Sequence, residues 1–366
     1  MRPRTSLIIL KMIKAGLKDF RIIPHLFDAW FSFCRNYARI RRERDGGKET
    51  LMIGLIEHMG DIVAAEPLSR YARNAHPNAT IGWATRKPYQ EVVENFNAVD
   101  RPTIVSCMTE WLLLWSMQTT DVIWDLHISE RPCLKCGISF RKVGNPGKIT
   151  YKTYYDHGNL LAVNCLNADL PPIADAPQIT PDSAAVQAVN SLDLPKQIIV
   201  IHCKSNEDSR DWNVDKWKVL IAWITSHTEF VVCEIGSKAC VVQNSACGTL
   251  DLCGSLSIME TAEVIRRAAL FIGIDSGPAH LANATGTPGI ILLGRYQGFQ
   301  AYTPYSGGYG DGSLADLIRG DGPAANIPVE PVIAQVANRL RSGRHGKTDG
   351  RAYSHVGSIE TDRASR

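Results

Sequence analysis

The stretch FIGIDSGPAHLANATGTPGIILLG, residues 271–294, contains two apolar runs separated by a polar turn and a short helical segment. Asp275 ends the first run, Pro278 stands where the first turn of a helix accepts proline, and Gly286 precedes the second run. The pattern predicts strand, turn, helix and strand. Unpaired amides and the dipole at the start of that helix favour an anion. The stretch therefore predicts a parallel α/β sheet with a phosphate or diphosphate site at the carboxyl end of a strand.

Length and composition are those of an ordinary globular protein with room for two domains. The chain has 366 residues, of which 45% are hydrophobic and 21% charged, whereas a single core stops growing near about 250–300 residues. Apolar runs alternating with helical segments predict domains at 49–175 and 197–341, joined by a proline-rich linker at 176–196. Residues 342–366 have the composition of a disordered tail. Strands are predicted at 80–85, 121–126, 197–202 and 230–233.

Residues 1–48 form a basic and partly apolar arm ahead of the first domain. They hold 12 Lys or Arg and 4 Asp or Glu, so the arm carries +8 and the remainder of the chain −5. Partly helical spacing of the apolar residues fits a helix on an anionic membrane surface, and equally an amphipathic extension packed on its own domain. The apolar stretch 7–10 is interrupted by Lys11 and is too short for a secretory signal or a membrane span. We therefore expect a cytoplasmic protein, peripheral on the membrane in the first alternative, with no nucleic-acid partner.

The ten cysteines are expected to be reduced thiols that fill space in the core, because no signal sequence is predicted. Cys133 and Cys136 form one CxxC pair, whereas a zinc site usually needs a second pair of Cys or His ligands. Cys107 and Cys165 are distant candidates for that role, and no regular spacing connects them to the pair. A metal site is therefore the less favoured interpretation, and no metal ligand is assigned.

The order Asp-Ser-Gly-Pro-x-His-x-Ala-x-Ala-x-Gly-x-Pro in residues 275–288 resembles the donor-site signature of the bacterial ADP-heptose:lipopolysaccharide heptosyltransferase family, glycosyltransferase family 9. Segments at 53–63, 210–217 and 251–260 resemble three further elements of the family in the same order. The resemblance implies a GT-B fold, in which two doubly wound, Rossmann-like α/β domains face each other across a cleft. It also implies an enzyme that inverts the anomeric carbon and needs no cofactor and no catalytic metal.

In this family the first domain binds the acceptor and supplies the catalytic base. Gly60 and Asp61 stand at the start of the helix after the first predicted strand, and the resemblance implies that Asp61 deprotonates the acceptor hydroxyl. A helix cap is the structural alternative for this carboxylate. Arg86 and Lys87 follow a predicted strand and are candidates for binding an anionic glycan, with solvent-exposed charge as the alternative.

The second domain is expected to bind a nucleotide-sugar donor. Arg210 stands where the family usually has lysine, and it is the candidate for holding the donor diphosphate, with Lys204 on the same predicted loop. Exposed surface charge is the alternative for both. The phosphate and ribose site is expected at the start of the predicted helix, at Asp275, Ser276, Gly277 and His280. In this site the aspartate would orient the turn, and the histidine would either contact the nucleotide or pack inside the helix.

These residues predict a transferase that moves a sugar, in first place heptose from ADP-heptose, onto a hydroxyl of lipopolysaccharide or another surface-glycan precursor. After Gly294 the chain continues Arg-Tyr-Gln where family members commonly have Pro and then Thr or Ser, so the donor sugar stays open. A GT-B nucleotide-sugar epimerase is one alternative, although it needs further acid and base groups around the sugar. A degenerate transferase that only binds a nucleotide sugar is the other. No GxGxxG motif follows the first predicted strand, which argues against a nicotinamide-binding domain.

Overall fold

The structure is a computed structural model that describes residues 3–142, 145–242, 248–296, 299 and 302–345. Two α/β domains follow the arm. The arm and the first domain contain α1 (Pro3–Lys18), α2 (Ile23–Asp45), β1 (Thr50–Gly54), α3 (Met59–Ala64), α4 (Glu66–Ala75), β2 (Thr80–Thr85), α5 (Gln90–Glu94), β3 (Arg101–Ile104), α6 (Met108–Met117), β4 (Val122–Asp125) and α7 (Leu160–Asn167). The second domain and the segment leading to it contain α8 (Ser183–Asn190), β5 (Ile198–His202), α9 (Val214–His227), β6 (Val231–Glu234), β7 (Thr249–Asp251), α10 (Ile258–Arg267), β8 (Leu270–Ile274), α11 (Gly277–Ala284), β9 (Gly289–Leu293), α12 (Gly307–Gly310), β10 (Ala315–Arg319) and α13 (Val329–His345).

Each domain is built on a parallel sheet whose strand order reverses in the middle. The first sheet has the order β3-β2-β1-β4 and the second the order β10-β9-β8-β5-β6-β7. The reversal lies between β1 and β4 in the first sheet and between β5 and β8 in the second. Doubly wound sheets bind ligands outside the carboxyl ends of the strands at this reversal. The predicted GT-B architecture of two doubly wound domains is therefore confirmed.

The predicted strands agree with the observed ones to within one residue at each end, whereas the predicted linker and tail contain more helix than expected. Within the linker assigned to 176–196, α8 buries Ala185 and Val189, which are spaced by one helical turn. Their apolar face packs against α10, so this segment is held to the domain despite its flanking prolines. At the other end, α13 continues to His345, four residues into the predicted tail, and 346–366 lie outside the described residues.

The arm packs on the first domain through one of its faces. Ile8 and Met12 of α1 and Phe33 and Ile40 of α2 are buried in the same apolar cluster as Trp111 of α6. The other face of the arm exposes large apolar side chains, namely Leu7, Leu10, Ile13, Leu17, Phe20, Phe27, Trp30 and Phe31. Packing on the domain therefore accounts for the apolar residues on one face of the arm and leaves those on the other face unexplained. Among the described helices, none combines the length and the hydropathy that a membrane span requires.

A buried ion pair fixes the end of β4 to the loop that follows it. Lys142 Nζ lies 3.2 Å from Asp125 Oδ2, and the Trp111 indole N–H donates to Asp125 Oδ1 at 2.8 Å. Burial opposes the negative charge of Asp125, but Lys142 and the hydrogen bonds from His127 and Trp111 outweigh it and hold the pKa of this carboxyl well below its usual range. The loop at 126–142 is thereby held close to the strand-order reversal.

Replacing Lys142 with Met is expected to destabilise the protein by about 3–5 kcal/mol, because the Asp125 carboxylate would stay buried without its counter-charge. Urea unfolding followed by tryptophan fluorescence measures the change. Lys218→Met is the control, since Lys218 pairs with Asp215 on the exposed surface of α9, and its loss should change the free energy of unfolding by less than about 0.5 kcal/mol. A K142M protein as stable as the parent would contradict the role assigned to the pair.

Candidate functional site

A cleft of about 540 Å³ lies between the carboxyl ends of the two sheets. Its walls are built by the segments that follow β1 and β4 in the first domain and β5 and β8 in the second, which are the four strands at the two reversals. Eight of the residues predicted for the site line this cleft: Gly60, Asp61, Lys204, Arg210, Asp275, Ser276, Gly277 and His280. The reversals of the two sheets therefore form one site.

The two predicted turns touch each other across the cleft. A Cβ atom at Gly60, in the first turn of α3, would lie 2.7 Å from Cδ2 of His280 in α11. A Cβ atom at Gly277 would collide with the side chain of Met59. A side chain at Gly60 would therefore displace the buried ring of His280, whereas at Gly277 it would displace only the flexible end of Met59.

Asp61 lies in the first turn of α3 and is held by an arginine from the loop after β4. Arg131 Nη1 lies 3.3 Å from Asp61 Oδ2, and about a quarter of the Asp61 side chain is exposed to the cleft. Burial disfavours the charge of Arg131, but Asp61 outweighs it and raises the pKa of the guanidinium. Beside them, burial lowers the pKa of His58. The carboxylate is thus oriented by a permanent cation and remains open to a ligand.

The loop after β5 is anchored by two tryptophans. The Trp212 indole N–H donates to the carbonyl oxygen of Ile327 at 2.8 Å, and its ring meets that of Trp217 edge to face with 5.0 Å between centroids. Both tryptophans are buried. Because Trp212 is fixed in the core, Arg210 two residues earlier is presented at the rim of the cleft.

Arg210 is held in the cleft by two carboxylates and an aromatic ring. Its Nη1 lies 3.1 Å from Asp275 Oδ2 and its Nε 3.3 Å from Glu207 Oε2. The guanidinium carbon lies 4.1 Å from the ring centroid of Tyr296, which is a cation–π distance. Burial works against the charge, yet Asp275 and Tyr296 raise the pKa of Arg210. The side chain is therefore a permanent cation with a fixed guanidinium plane.

Asp275 orients the turn after β8. It is buried, accepts a hydrogen bond from the Tyr305 hydroxyl at 3.0 Å, and its Oδ1 lies 3.9 Å from Nε2 of His280. Burial lowers the pKa of His280, and its Nδ1 is buried without a hydrogen-bond partner among the described residues. The aspartate thus holds Arg210, Tyr305 and His280 in place.

The start of α11 is open to an anion. Ser276 is its N-cap residue, but its side chain caps no amide of the helix. Instead, Ser276 Oγ lies 2.9 Å from Nδ1 of His202 at the end of β5. Burial lowers the pKa of His202 to about 4, so the imidazole is neutral at pH 7. Pro278 has no N–H and the Ala279 N–H donates to the Ser276 carbonyl at 3.1 Å, so the Gly277 amide is the donor at the start of α11 that can face a phosphate.

Lys204 stands on the same loop as Arg210, and its ammonium is paired with two carboxylates of that loop. Its Nζ lies 2.7 Å from Asp208 Oδ1 and 2.5 Å from Asp211 Oδ2. Hydrogen bonds to these carboxylates raise the pKa of Lys204. The side chain is half exposed at the cleft, so it is a charged group that a second anion can reach.

Arg86 and Lys87 do not line the cleft. They line a separate cavity of about 440 Å³ beside the arm, together with Arg35 and Lys135. Arg86 points back toward the cleft, because its Nη1 lies 2.9 Å from Oε1 of buried Glu57, just before α3. The segment after β2 therefore lies beside the arm. This closeness of the arm to the segment was not predicted from the sequence.

Several cleft residues were not predicted from the sequence. Arg131 lies six residues beyond the end of β4, and its position after a strand at the reversal is the only signal that could have identified it. The aromatic side of the cleft comes from Tyr89, Tyr154, Tyr155 and Tyr296. Tyr89, Tyr154 and Tyr155 lie in short 3₁₀ helices and Tyr296 in a loop, so tertiary packing and no sequence period brings them together.

A family model matches the part of the chain that carries the predicted donor-side residues. Residues 159–306 match the model of glycosyltransferase family 9 (heptosyltransferase). A sequence comparison with curated proteins finds no match.

Solved structures of similar fold cover most of the chain at low identity. A family 9 glycosyl transferase from Veillonella parvula DSM 2008 has a TM-score of 0.60 at 15% identity, over 80% of this chain and 97% of its own. The E. coli ADP-heptose LPS heptosyltransferase II has a TM-score of 0.60 at 18% identity, over 81% and 99%. The iron-containing dodecameric glycosyltransferase TibC from enterotoxigenic E. coli H10407 has a TM-score of 0.50 at 15% identity, over 83% and 81%. The family resemblance drawn from residues 275–288 is confirmed by the family match, and the GT-B fold by these structures.

Proposed function

We propose that the chain transfers a sugar from an ADP-linked donor to a hydroxyl of a surface glycolipid. The premise is that residues 159–306 match the model of glycosyltransferase family 9 (heptosyltransferase). Heptose is the first candidate for the sugar. The observation that carries this proposal is the juxtaposition, in one cleft, of an anion-binding helix start with a carboxylate held by an arginine. The former suits a diphosphate and the latter a proton acceptor.

The donor site is proposed at the start of α11. The Gly277 amide and the positive end of the helix suit the diphosphate, and the cations of Arg210 and Lys204 neutralise the charge that grows on the leaving group. ADP is present in a solved structure of similar fold, the E. coli heptosyltransferase WaaC, and for this chain it is a proposal.

The acceptor side is proposed in the first domain. Asp61 takes the proton of the attacking hydroxyl, and Arg131 orients the carboxylate for that step. Attack from the side opposite the leaving diphosphate inverts the anomeric carbon. The separate basic cavity of Arg35, Arg86, Lys87 and Lys135 lies beside the arm and suits the anionic groups of a glycolipid.

Transfer is proposed to proceed without a catalytic metal in the cleft. Fixed cations already face the phosphate site, and they can take over the role of a metal at the leaving group. Within the part of the chain that the structure describes, the cluster with metal-ligand spacing is formed by Cys107, Cys133 and Cys136, none of which lines the cleft. The E. coli TibC enzyme is described as iron-containing, so the test of this proposal includes a chelator.

A thermal-shift panel of ADP, UDP, GDP and dTDP in the presence of EDTA tests the donor. ADP at 100 times its Kd should raise the free energy of unfolding by about 2.7 kcal/mol, because it binds only the folded state. EDTA is common to all samples, so its effect on other sites cancels. Preference for another nucleotide would retain a transferase and exclude ADP-heptose, whereas absence of any shift would contradict nucleotide binding in the cleft.

The exposed face of the arm, formed by its eight uncovered apolar residues, is proposed to lie on an anionic membrane surface. Phe20, Phe31 and Leu17 are each more than two thirds exposed, and the arm carries a net charge of +8. Apolar side chains enter the headgroup region while lysine and arginine attract anionic lipids. This position would bring the basic cavity to the inner face of the cell membrane, where a glycolipid acceptor is anchored.

The double variant Phe20→Glu/Phe31→Glu is expected to bind anionic vesicles at least about 100-fold more weakly than the parent, because each buried phenylalanine contributes about 1.5–3 kcal/mol. Co-sedimentation with phosphatidylglycerol-containing vesicles measures the binding. Val214→Glu/Val219→Glu on α9 is the control, since it adds the same charge at two half-exposed apolar positions away from the arm. Equal sedimentation of both variants would contradict docking through the arm.

A further inference from the structure

Three cysteines that are distant in sequence meet inside the first domain. The sulfur atoms of Cys107, Cys133 and Cys136 all lie within 4.8 Å of one another, and all three residues are buried. Cys107 is the N-cap residue of α6, whereas the other two lie in the loop at 126–142. No regular spacing in the sequence links Cys107 to the CxxC pair.

The CxxC segment is folded into a tight turn. Cys133 N–H donates to the Ile138 carbonyl at 2.9 Å, and Gly137 N–H donates to the Cys133 carbonyl at 2.8 Å. Gly137 has a φ of +67°, a conformation that favours glycine at this point of the turn. The turn brings the sulfurs of Cys133 and Cys136 together beside that of Cys107, and the Thr109 hydroxyl lies 2.8 Å from the sulfur of Cys136.

We propose that Cys107, Cys133 and Cys136 bind one thiophilic divalent metal ion, with zinc as the native ion. The ion takes three thiolate ligands and one water molecule, and the three thiol protons are released to solvent on binding. The site lies outside the catalytic cleft and is independent of the function proposed above.

The spacing of the sulfurs fits a single ion. A tetrahedron with metal–sulfur bonds of about 2.3 Å has sulfur–sulfur edges of about 3.8 Å, which lies within the 4.8 Å limit that the three sulfurs satisfy. Thiolate ligands select zinc over magnesium or calcium, which prefer oxygen. Cys136 also lines an open cavity of about 580 Å³ between the arm and the loop, which gives an ion a route to the site.

The proposed ion would fix a loop that otherwise has little regular structure. The ion would join the start of α6 to the CxxC turn. The three cysteines belong to the same apolar cluster as Met12 of α1. Arg131, which holds Asp61, stands two residues before Cys133 in this loop. The ion would therefore hold the loop that carries Arg131, and it would contact no substrate.

Metal content and cobalt substitution test the site in the full-length protein. Native mass spectrometry and elemental analysis should find one zinc per chain in the parent. Replacement by Co²⁺ should give a sulfur-to-cobalt charge-transfer band and the strong visible bands of a tetrahedral ion. Cys107→Ser, Cys133→Ser and Cys136→Ser should each lose most of the bound zinc. Cys34→Ser, at an exposed cysteine of α2, and Cys165→Ser, at a buried cysteine of α7, should keep it.

Two results would overturn the proposal, and both are measured on protein that folds. One is a parent protein that, after incubation with zinc and desalting, holds less than about a tenth of an equivalent and shows no charge-transfer band with Co²⁺. The other is full retention of zinc by the Cys133→Ser/Cys136→Ser double variant. The parent measurements decide the question even where the serine variants unfold. The nucleotide thermal shifts measure a different site, so failure of the metal proposal leaves the transferase proposal in place.

Discussion

Replacing Asp61 with Asn is expected to lower kcat of sugar transfer by about 10²–10⁴-fold, the usual contribution of a positioned general base. Asparagine has the same shape and can still accept a hydrogen bond from Arg131 through its amide oxygen. It cannot take the proton of the acceptor hydroxyl. Binding of the donor should be unchanged, because Asp61 belongs to the first domain and the phosphate site to the second. Single-turnover transfer and the ADP-induced thermal shift measure the two effects separately.

Asp215→Asn is the matched control for this variant. Asp215 is a mostly exposed carboxylate in the first turn of α9 and pairs with Lys218, so it reproduces the loss of an acid near a helix start without touching the cleft. Its turnover should equal that of the parent. Transfer by D61N at the parental rate would show that another group takes the proton and would restore the helix-cap interpretation of Asp61. Loss of the ADP shift together with turnover would instead mean that the substitution disturbs the cleft as a whole.

The parts of the site that the sequence predicts are those that follow strands at the two reversals. Asp61 and Asp275 lie at turns between a buried strand and a helix, where apolar periodicity changes and glycine marks a close approach. The sheet topology then brings these turns together, because parallel strands at a reversal open into one crevice. The prediction therefore follows from local patterns plus one general property of doubly wound sheets.

The remaining features depend on packing that no local pattern encodes. Arg131 reaches the cleft from an irregular loop, and its position relies on the buried pair of Asp125 and Lys142 and on the turn at Cys133. Arg86 follows a strand, but its strand neighbours direct it to the cavity beside the arm. The closeness of Cys107 to the CxxC pair likewise arises from how α6 is placed on the sheet. Sequence periodicity predicts which face of a helix or strand is buried. It does not predict the position of an irregular loop in the folded structure.

Replacing Arg210 with Met is expected to lower kcat by about 10²–10³-fold, because it removes a fixed cation that faces the charge developing on the leaving diphosphate. ADP should lose affinity while AMP, which lacks the second phosphate, should lose little. Arg210→Lys should recover only part of the rate. Lysine keeps the charge, but it lacks the fork and the planar stacking on Tyr296.

The loss of Arg210 also leaves buried Asp275 without its ion-pair partner, so instability has to be separated from lost catalysis. Arg266→Met provides the control, because Arg266 pairs at the protein surface with Glu263, a buried carboxylate in α10 outside the cleft. Both variants should be less stable, whereas only R210M should lose turnover and the preference for ADP over AMP. If R210M keeps that preference and loses less than about tenfold in kcat, the diphosphate is held by Lys204 and the start of α11. The guanidinium of Arg210 would then serve mainly to neutralise Asp275 and to keep the turn after β8 in place.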